Sequence, residues 1–272
     1  SHYVPPMPAS RLVIDRVARI GFLGKGLVAV VIGAVALRMA LGEPAGLVGP
    51  EGALQRFVGH PLGRGILGFL AISLWAHAAW KLIESFLDIE AKGHGLVATA
   101  ERVSFFFAGL GYLLLGTVAA RLTVGGVPSS GPDFNDLTAA ILTPVLGRLT
   151  VGLVGAIVTV SGLLQVRLGL VAGFRHIFPL DRMSRPARVT VLSLGRAGYA
   201  ALGVISGLIG WFLLRVAWYF DPDQAGGWRD ALGFLAGVGQ TRWTLGIVAA
   251  GLVCYGLFFI LQLRYRDIGP TG

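Results

Sequence analysis

The stretch RIGFLGKGLVAVVIGAVALR, residues 19–38, decides the architecture. It opens and closes on arginine, and everything between is apolar or glycine except Lys25. A helix rises 1.5 Å per residue, so Arg19 and Arg38 stand about 28 Å apart, close to the thickness of a bilayer's hydrocarbon core. The same bracket returns at Arg102 and Arg121 and at Arg196 and Arg215, each pair again 19 residues apart. These brackets predict an all-α integral membrane protein built by repeating one unit three times.

Composition points the same way. Of 272 residues, 54% are hydrophobic and only 14% charged, against about 25% charged in soluble domains. The mean hydropathy is +0.73. Forty-one glycines suit membrane helices, whose backbones approach closely at small residues. The net charge of +9 does not imply nucleic acid, because the basic residues lie at the ends of the apolar runs or outside them. The membrane surface explains them. Cys254, the only cysteine, is expected to be a buried, inert thiol in the last run. Residues before Met7 are expected not to be native, a reading that chain detected upstream of Met7 by mass spectrometry would overturn. Arg11, Arg16 and Arg19 precede a run too long for a signal peptide, so the first run reads as a retained span.

Six runs are long enough to cross: about 20–41, 65–87, 103–124, 149–170, 197–219 and 243–263. All thirteen prolines fall outside them. The repeat extends beyond each first span, since Arg38 is followed by Arg64, Arg121 by Arg148 and Arg215 by Arg242, at spacings of 26, 27 and 27. An acid lies between each pair: Glu51, Asp136 and Asp230. Arg19-Ile20-Gly21-Phe22 matches Arg196-Ala197-Gly198-Tyr199, and Arg102-Val103-Ser104-Phe105 is a weaker copy. Each unit is a span, a polar loop with a short amphipathic segment, and a second span. Two spans per unit make the repeats parallel, around a pseudo-threefold axis along the membrane normal. The expected divisions are a tail (1–15), the first unit (16–90), the second (99–170), a basic loop (171–192) and the third unit (193–266). Basic residues concentrate in the N-terminus and the second and fourth loops, which places both termini in the cytoplasm.

The run from Arg19 to Gly26, with Ala36-Leu37-Arg38, Gly52-Ala53-Leu54 and Pro61-Leu62-Gly63-Arg64, resembles the bacterial membrane family named domain of unknown function 1206. The resemblance covers about residues 16–266 and is weakest in the second unit, where Ser104 replaces the glycine. It implies three tandem two-helix units in a bacterial cytoplasmic (inner) membrane and brings no activity with it. Mitochondrial carriers share the three-unit plan, but their proline-containing motif at odd-helix ends is missing at Ala36–Leu41 and its counterparts, and architecture alone carries no function.

Two polar sets stand out. Arg38, Arg64, Arg121, Arg148, Arg215 and Arg242 gather near the outer interface. The structural reading is an Arg–acid–Arg clasp through Glu51, Asp136 and Asp230. The functional one is an anion or headgroup site, since guanidinium suits phosphate. The second set breaks the repeat. His77, Lys81 and Glu84 share one face of the second span, and Lys25 enters the first span at similar depth. Counted from Arg64, Arg148 and Arg242, His77 corresponds to Ser161 and Tyr255, and Lys81 to Gln165. A Lys81–Glu84 pair with a neutral His77 is one reading, and a proton- or substrate-responsive site the other.

Only His77 lies within a span, so no haem or other cofactor and no metal is expected. Phosphate-loop and nucleophile-elbow motifs are absent. The glycines at 203, 207 and 210 read as packing faces. The six arginines from Arg167 to Arg196 suggest contact with anionic cytoplasmic lipid. The functional expectation is a non-enzymatic membrane component that binds lipid, preferably anionic, or joins a larger membrane complex. The alternative is a small-solute or ion transporter or channel along the axis.

Overall fold

The computed structural model describes residues 9–43, 46, 49–86, 95–125, 146–219, 221, 226–237 and 242–265. Six long helices dominate them: α1 (Ala9–Ala40), α3 (Gly63–Phe86), α4 (Leu96–Thr123), α5 (Leu146–Val171), α6 (Arg185–Tyr219) and α8 (Trp243–Tyr265). Each contains a stretch long and apolar enough to cross a membrane. Two short helices, α2 (Pro50–Gln55) and α7 (Trp228–Gly237), lie in the first and last of the intervening loops. Pro50 and Glu51 open α2 as the rules for helix starts require, with proline where no partner is needed and an acid on the positive end of the dipole. In α7 the Asp230 carboxylate accepts the Gly227 N–H at 2.8 Å. Both helices turn an Ala-Leu pair inward: Ala53, Leu54, Ala231 and Leu232 are all fully buried.

The first and fifth of the six long helices outrun their apolar stretches. α6 begins at Arg185, so part of the segment read as a basic loop is helical, and α1 begins at Ala9, inside the expected tail. At 35 residues, α6 is about 52 Å long, against about 30 Å of hydrocarbon. Hydropathy marks where a helix enters lipid, whereas backbone hydrogen bonding continues beyond that point. Before α6 the chain makes two 3-10 turns, Gly173–Ile177 and Leu180–Arg182. They are anchored by Phe174 and Phe178, which are buried against Phe258.

The most extensive helix contacts are α5 with α6, α3 with α4 and α1 with α8. α6 also packs on α8, and α1 on α3. By contrast α4 and α5, consecutive spans, touch only marginally. Among the described residues this leaves a seam. Only 28% of the apolar window of Phe105–Thr123 and 17% of that of Gly147–Val171 is buried, against 56% for Arg19–Ala40 and 50% for Trp243–Arg264.

Glycines govern the tight contacts. Gly26, Gly109 and Gly203 each follow Arg19, Arg102 or Arg196 by seven residues. A Cβ built on them would lie 2.8 Å from the Gly256 carbonyl oxygen, 2.9 Å from Leu82 Cγ and 2.6 Å from the Gly162 carbonyl oxygen. Gly33, Gly116 and Gly210 follow the same arginines by fourteen. They face Val253, Trp75 and Thr159, which in turn stand eleven residues after Arg242, Arg64 and Arg148. Gly203 and Gly210 are thus packing positions, as the sequence suggests. Gly207 differs: its backbone lies against Gly162, but a Cβ built on Gly207 itself would meet nothing within 4 Å.

Substitution should separate the contact glycines from the rest. Gly162→Leu pushes directly on the Gly203 and Gly207 backbones and should cost about 1–3 kcal/mol or more. Gly111→Leu, with nothing within 4 Å of a built Cβ, should stay within about 0.5 kcal/mol of the parent. Thermal unfolding in micelles gives the comparison.

Candidate functional site

The face that carries Arg38 comes first. Contacts bring its arginines to one side of the bundle: Gly68 lies against Thr123, Arg148 reaches Trp218 and Arg242 reaches Met39. The acids do not serve them as the clasp predicts. Arg38 pairs with Glu43, Nε to Oε2 at 2.5 Å, with both side chains about half exposed. Glu51 is exposed in the first turn of α2, and Asp230 caps α7. Among the described residues neither acid pairs with an arginine, and Asp136 lies outside them.

Two of the three arginines that open helices find a different partner. Arg148 donates through Nη2 to the Trp218 carbonyl, and Arg242 through Nη1 to the Met39 carbonyl, each at 3.5 Å. Both acceptors lie in the last turns of neighbouring helices, α6 and α1. A cation disfavoured by its own helix dipole is placed on the negative end of another. The loop acids are drawn instead to the positive ends of α2 and α7, which explains why the clasp does not form. Arg215 sits beside two rings, 5.1 Å from Trp211 and 5.9 Å from Tyr219. Arg64 and Arg121 are exposed. The opposite face has its own stitch, with Arg19 donating to the Leu263 carbonyl.

The inner set divides in three. Lys81 Nζ lies 2.5 Å from Glu84 Oε2 and 4.2 Å from the centroid of Phe105. Their side chains are only 18% and 8% exposed, so this pair is largely withdrawn from water. Gln165 sits on α5, and its buried side-chain carbonyl takes no hydrogen bond among the described residues. Lys25 and His77 form the third group with aromatic neighbours. His77 is fully buried and stands edge-on to Tyr112 at 4.6 Å and to Phe22 at 5.9 Å. The Lys25 ammonium is 4.2 Å from the centroid of Phe259, 5.3 Å from Tyr255 and 5.4 Å from Tyr112.

Glycine contacts set this geometry. A Cβ on Gly21 would come within 2.8 Å of the His77 backbone, and one on Gly198 within 2.5 Å of the Tyr255 backbone. Gly26 meets Gly256 one residue beyond Lys25 and Tyr255. The aromatic walls carry no sequence signal, since single tyrosines and phenylalanines are ordinary in membrane spans. Gln262, 1% exposed, is also missed by sequence reasoning. A signal for it exists: it stands twenty residues after Arg242, as Glu84 does after Arg64. Cys254 is a free thiol, half-buried rather than buried.

A family model described as Domain of Unknown Function (DUF1206) matches residues 20–88 and 197–266. These two copies coincide with the first and third units of the sequence reading. The chain is also similar to the uncharacterized protein YxxB of Bacillus subtilis (strain 168), with 30% identity over 255 residues, 94% of this chain and 92% of that protein. No solved structure matches.

The Lys81–Glu84 pair makes a sharp prediction. Lys81→Met leaves a buried carboxylate alone and should cost about 3–5 kcal/mol. The double variant Lys81→Met, Glu84→Met should recover most of that loss. Unfolding midpoints of the two variants and the parent decide it, and a double variant as unstable as the single one would count against a mutual pair.

Proposed function

The chain belongs to the DUF1206 family of multi-pass membrane proteins, and from that premise we propose that it is a non-enzymatic lipid-binding component of the bacterial cytoplasmic membrane. On this reading three parallel two-helix units surround a pseudo-threefold axis, with both termini in the cytoplasm. The recurrence of glycine contacts at seven and fourteen residues past Arg19, Arg102 and Arg196 supports the threefold arrangement.

The seam between α4 and α5 carries the lipid reading. These helices pack on their outer flanks, α4 on α3 and α5 on α6, and hardly on each other. Their exposed residues include Leu110, Leu113, Leu114, Leu149, Leu153, Val160 and Leu163. The natural occupant of an apolar face within a bilayer is an acyl chain. Exposed Arg121 closes α4 and exposed Arg148 opens α5, so guanidinium groups stand where a phosphate would sit. This favours an anionic phospholipid, and the exposed Arg167, Arg175, Arg185, Arg188 and Arg196 favour the same lipid class at the other face.

A transport path along the axis has less support. His77 is enclosed by rings, and Lys81 is tied to Glu84. Buried apolar side chains gather toward both ends, Leu54 and Leu232 near the Arg38 face and Phe174, Phe178 and Phe258 near the other.

Native mass spectrometry of the protein taken directly from membranes should find retained anionic phospholipid. Arg121→Ala with Arg148→Ala should lower its occupancy severalfold. Protein that binds such lipid no better than zwitterionic lipid would sink the proposal, and ion flux in proteoliposomes abolished by His77→Ala would favour transport instead. For topology, in a Cys254→Ala background, Ser130→Cys should label from outside intact cells and Gly95→Cys only after permeabilisation.

A further inference from the structure

The surroundings of Lys25 have the form of a cation site. Three rings from two helices, Tyr112 on α4 and Tyr255 and Phe259 on α8, lie within 5.4 Å of an ammonium carried by a third helix, α1. Ring faces bear negative charge density, so rings converging on one point attract a cation. Each wall has a further aromatic neighbour. His77 stands against Tyr112, Tyr199 against Tyr255, and Phe22 and Phe258 against Phe259. Tyr255 and Phe259 are 4% and 5% exposed, whereas Lys25 and Tyr112 are only half-buried.

We propose that Tyr112, Tyr255 and Phe259 form an alkylammonium-binding site whose resident occupant is Lys25, and that amine-bearing amphiphiles arriving from the lipid phase are the external ligands that compete for it. The inference goes beyond the proposed lipid role and stands on ring geometry alone. Lys25 reaches the site because Gly26 and Gly256 let α1 and α8 meet backbone to backbone at that level. The corresponding positions in the other two units, Ala108 and Leu202, carry no charge. One chain thus supplies one tethered cation to one site.

The test uses the full chain in micelles. Removing a lysine charge from a bundle interior ordinarily stabilises it. Here Lys25→Met should instead lower the unfolding midpoint, on the order of 2–4 °C. Lys25→Ala should lose more, and ethylammonium chloride should restore part of the loss saturably while sodium chloride at equal ionic strength restores none. Adding Phe259→Leu to Lys25→Ala should abolish the recovery. An unchanged or raised midpoint for Lys25→Met overturns the proposal, as do equal responses of Lys25→Ala to the two salts. If Lys25→Ala does not fold, the sign of the Lys25→Met shift decides alone.

Discussion

Backbone contact at glycine is the constraint on which the rest depends. Lipid tails are as apolar as leucine, so helices gain little by hiding apolar side chains from them, and close contact must supply the cohesion. Where Gly26 meets Gly256 and Gly162 meets Gly203, one helix's backbone lies against the next with no side chain between. The positions of neighbouring side chains follow. Lys25 precedes Gly26 and Tyr255 precedes Gly256, so the crossing that joins α1 to α8 also brings an ammonium to a ring. Gly21 and Gly198 do the same for His77 and Tyr255, each fitting under the backbone of the residue it positions.

Charge is distributed by local dipoles. Arg148 and Arg242 stand at helix starts, where their own dipoles oppose them, and each turns to the carbonyl end of a neighbour. The acids occupy the opposite kind of terminus, at the starts of α2 and α7. Among the described residues these preferences are met at helix ends, with no Arg–acid–Arg chain between Arg148, Asp230 and Arg242. Lys81 and Glu84, by contrast, depend on mutual charge in a largely dry setting.

Burial among the described residues is uneven. α2 and α7 bury Ala-Leu pairs near one end, and an aromatic cluster is buried around Phe258 near the other. Between α4 and α5 the described residues make little contact. The exposed side of α4 and α5 is apolar, and Arg121 and Arg148 stand near one end of it. That face is the ground for preferring lipid over aqueous solute in the proposed function.

The six spans were legible in the sequence because membrane thickness and helical rise together dictate the length of an apolar run, and the arginine brackets mark its ends. The inner pair was legible too, since Lys81 and Glu84 lie three residues apart on one helix and need nothing else to meet. Helix ends were not: α6 starts at Arg185 because hydropathy reports the medium and not the backbone's hydrogen bonding. The clasp reading of Glu51 and Asp230 failed because each acid serves the start of its own short helix, a local arrangement that the repeat of arginines and acids obscured. The gathering of Lys25, Tyr112, Tyr255 and Phe259 could not be read either, since they come from three helices separated by most of the chain. Local spacing determined which segments are helices and how many are fit to cross. Only the glycine crossings, which set which helices touch and at what level, decided which side chains face one another.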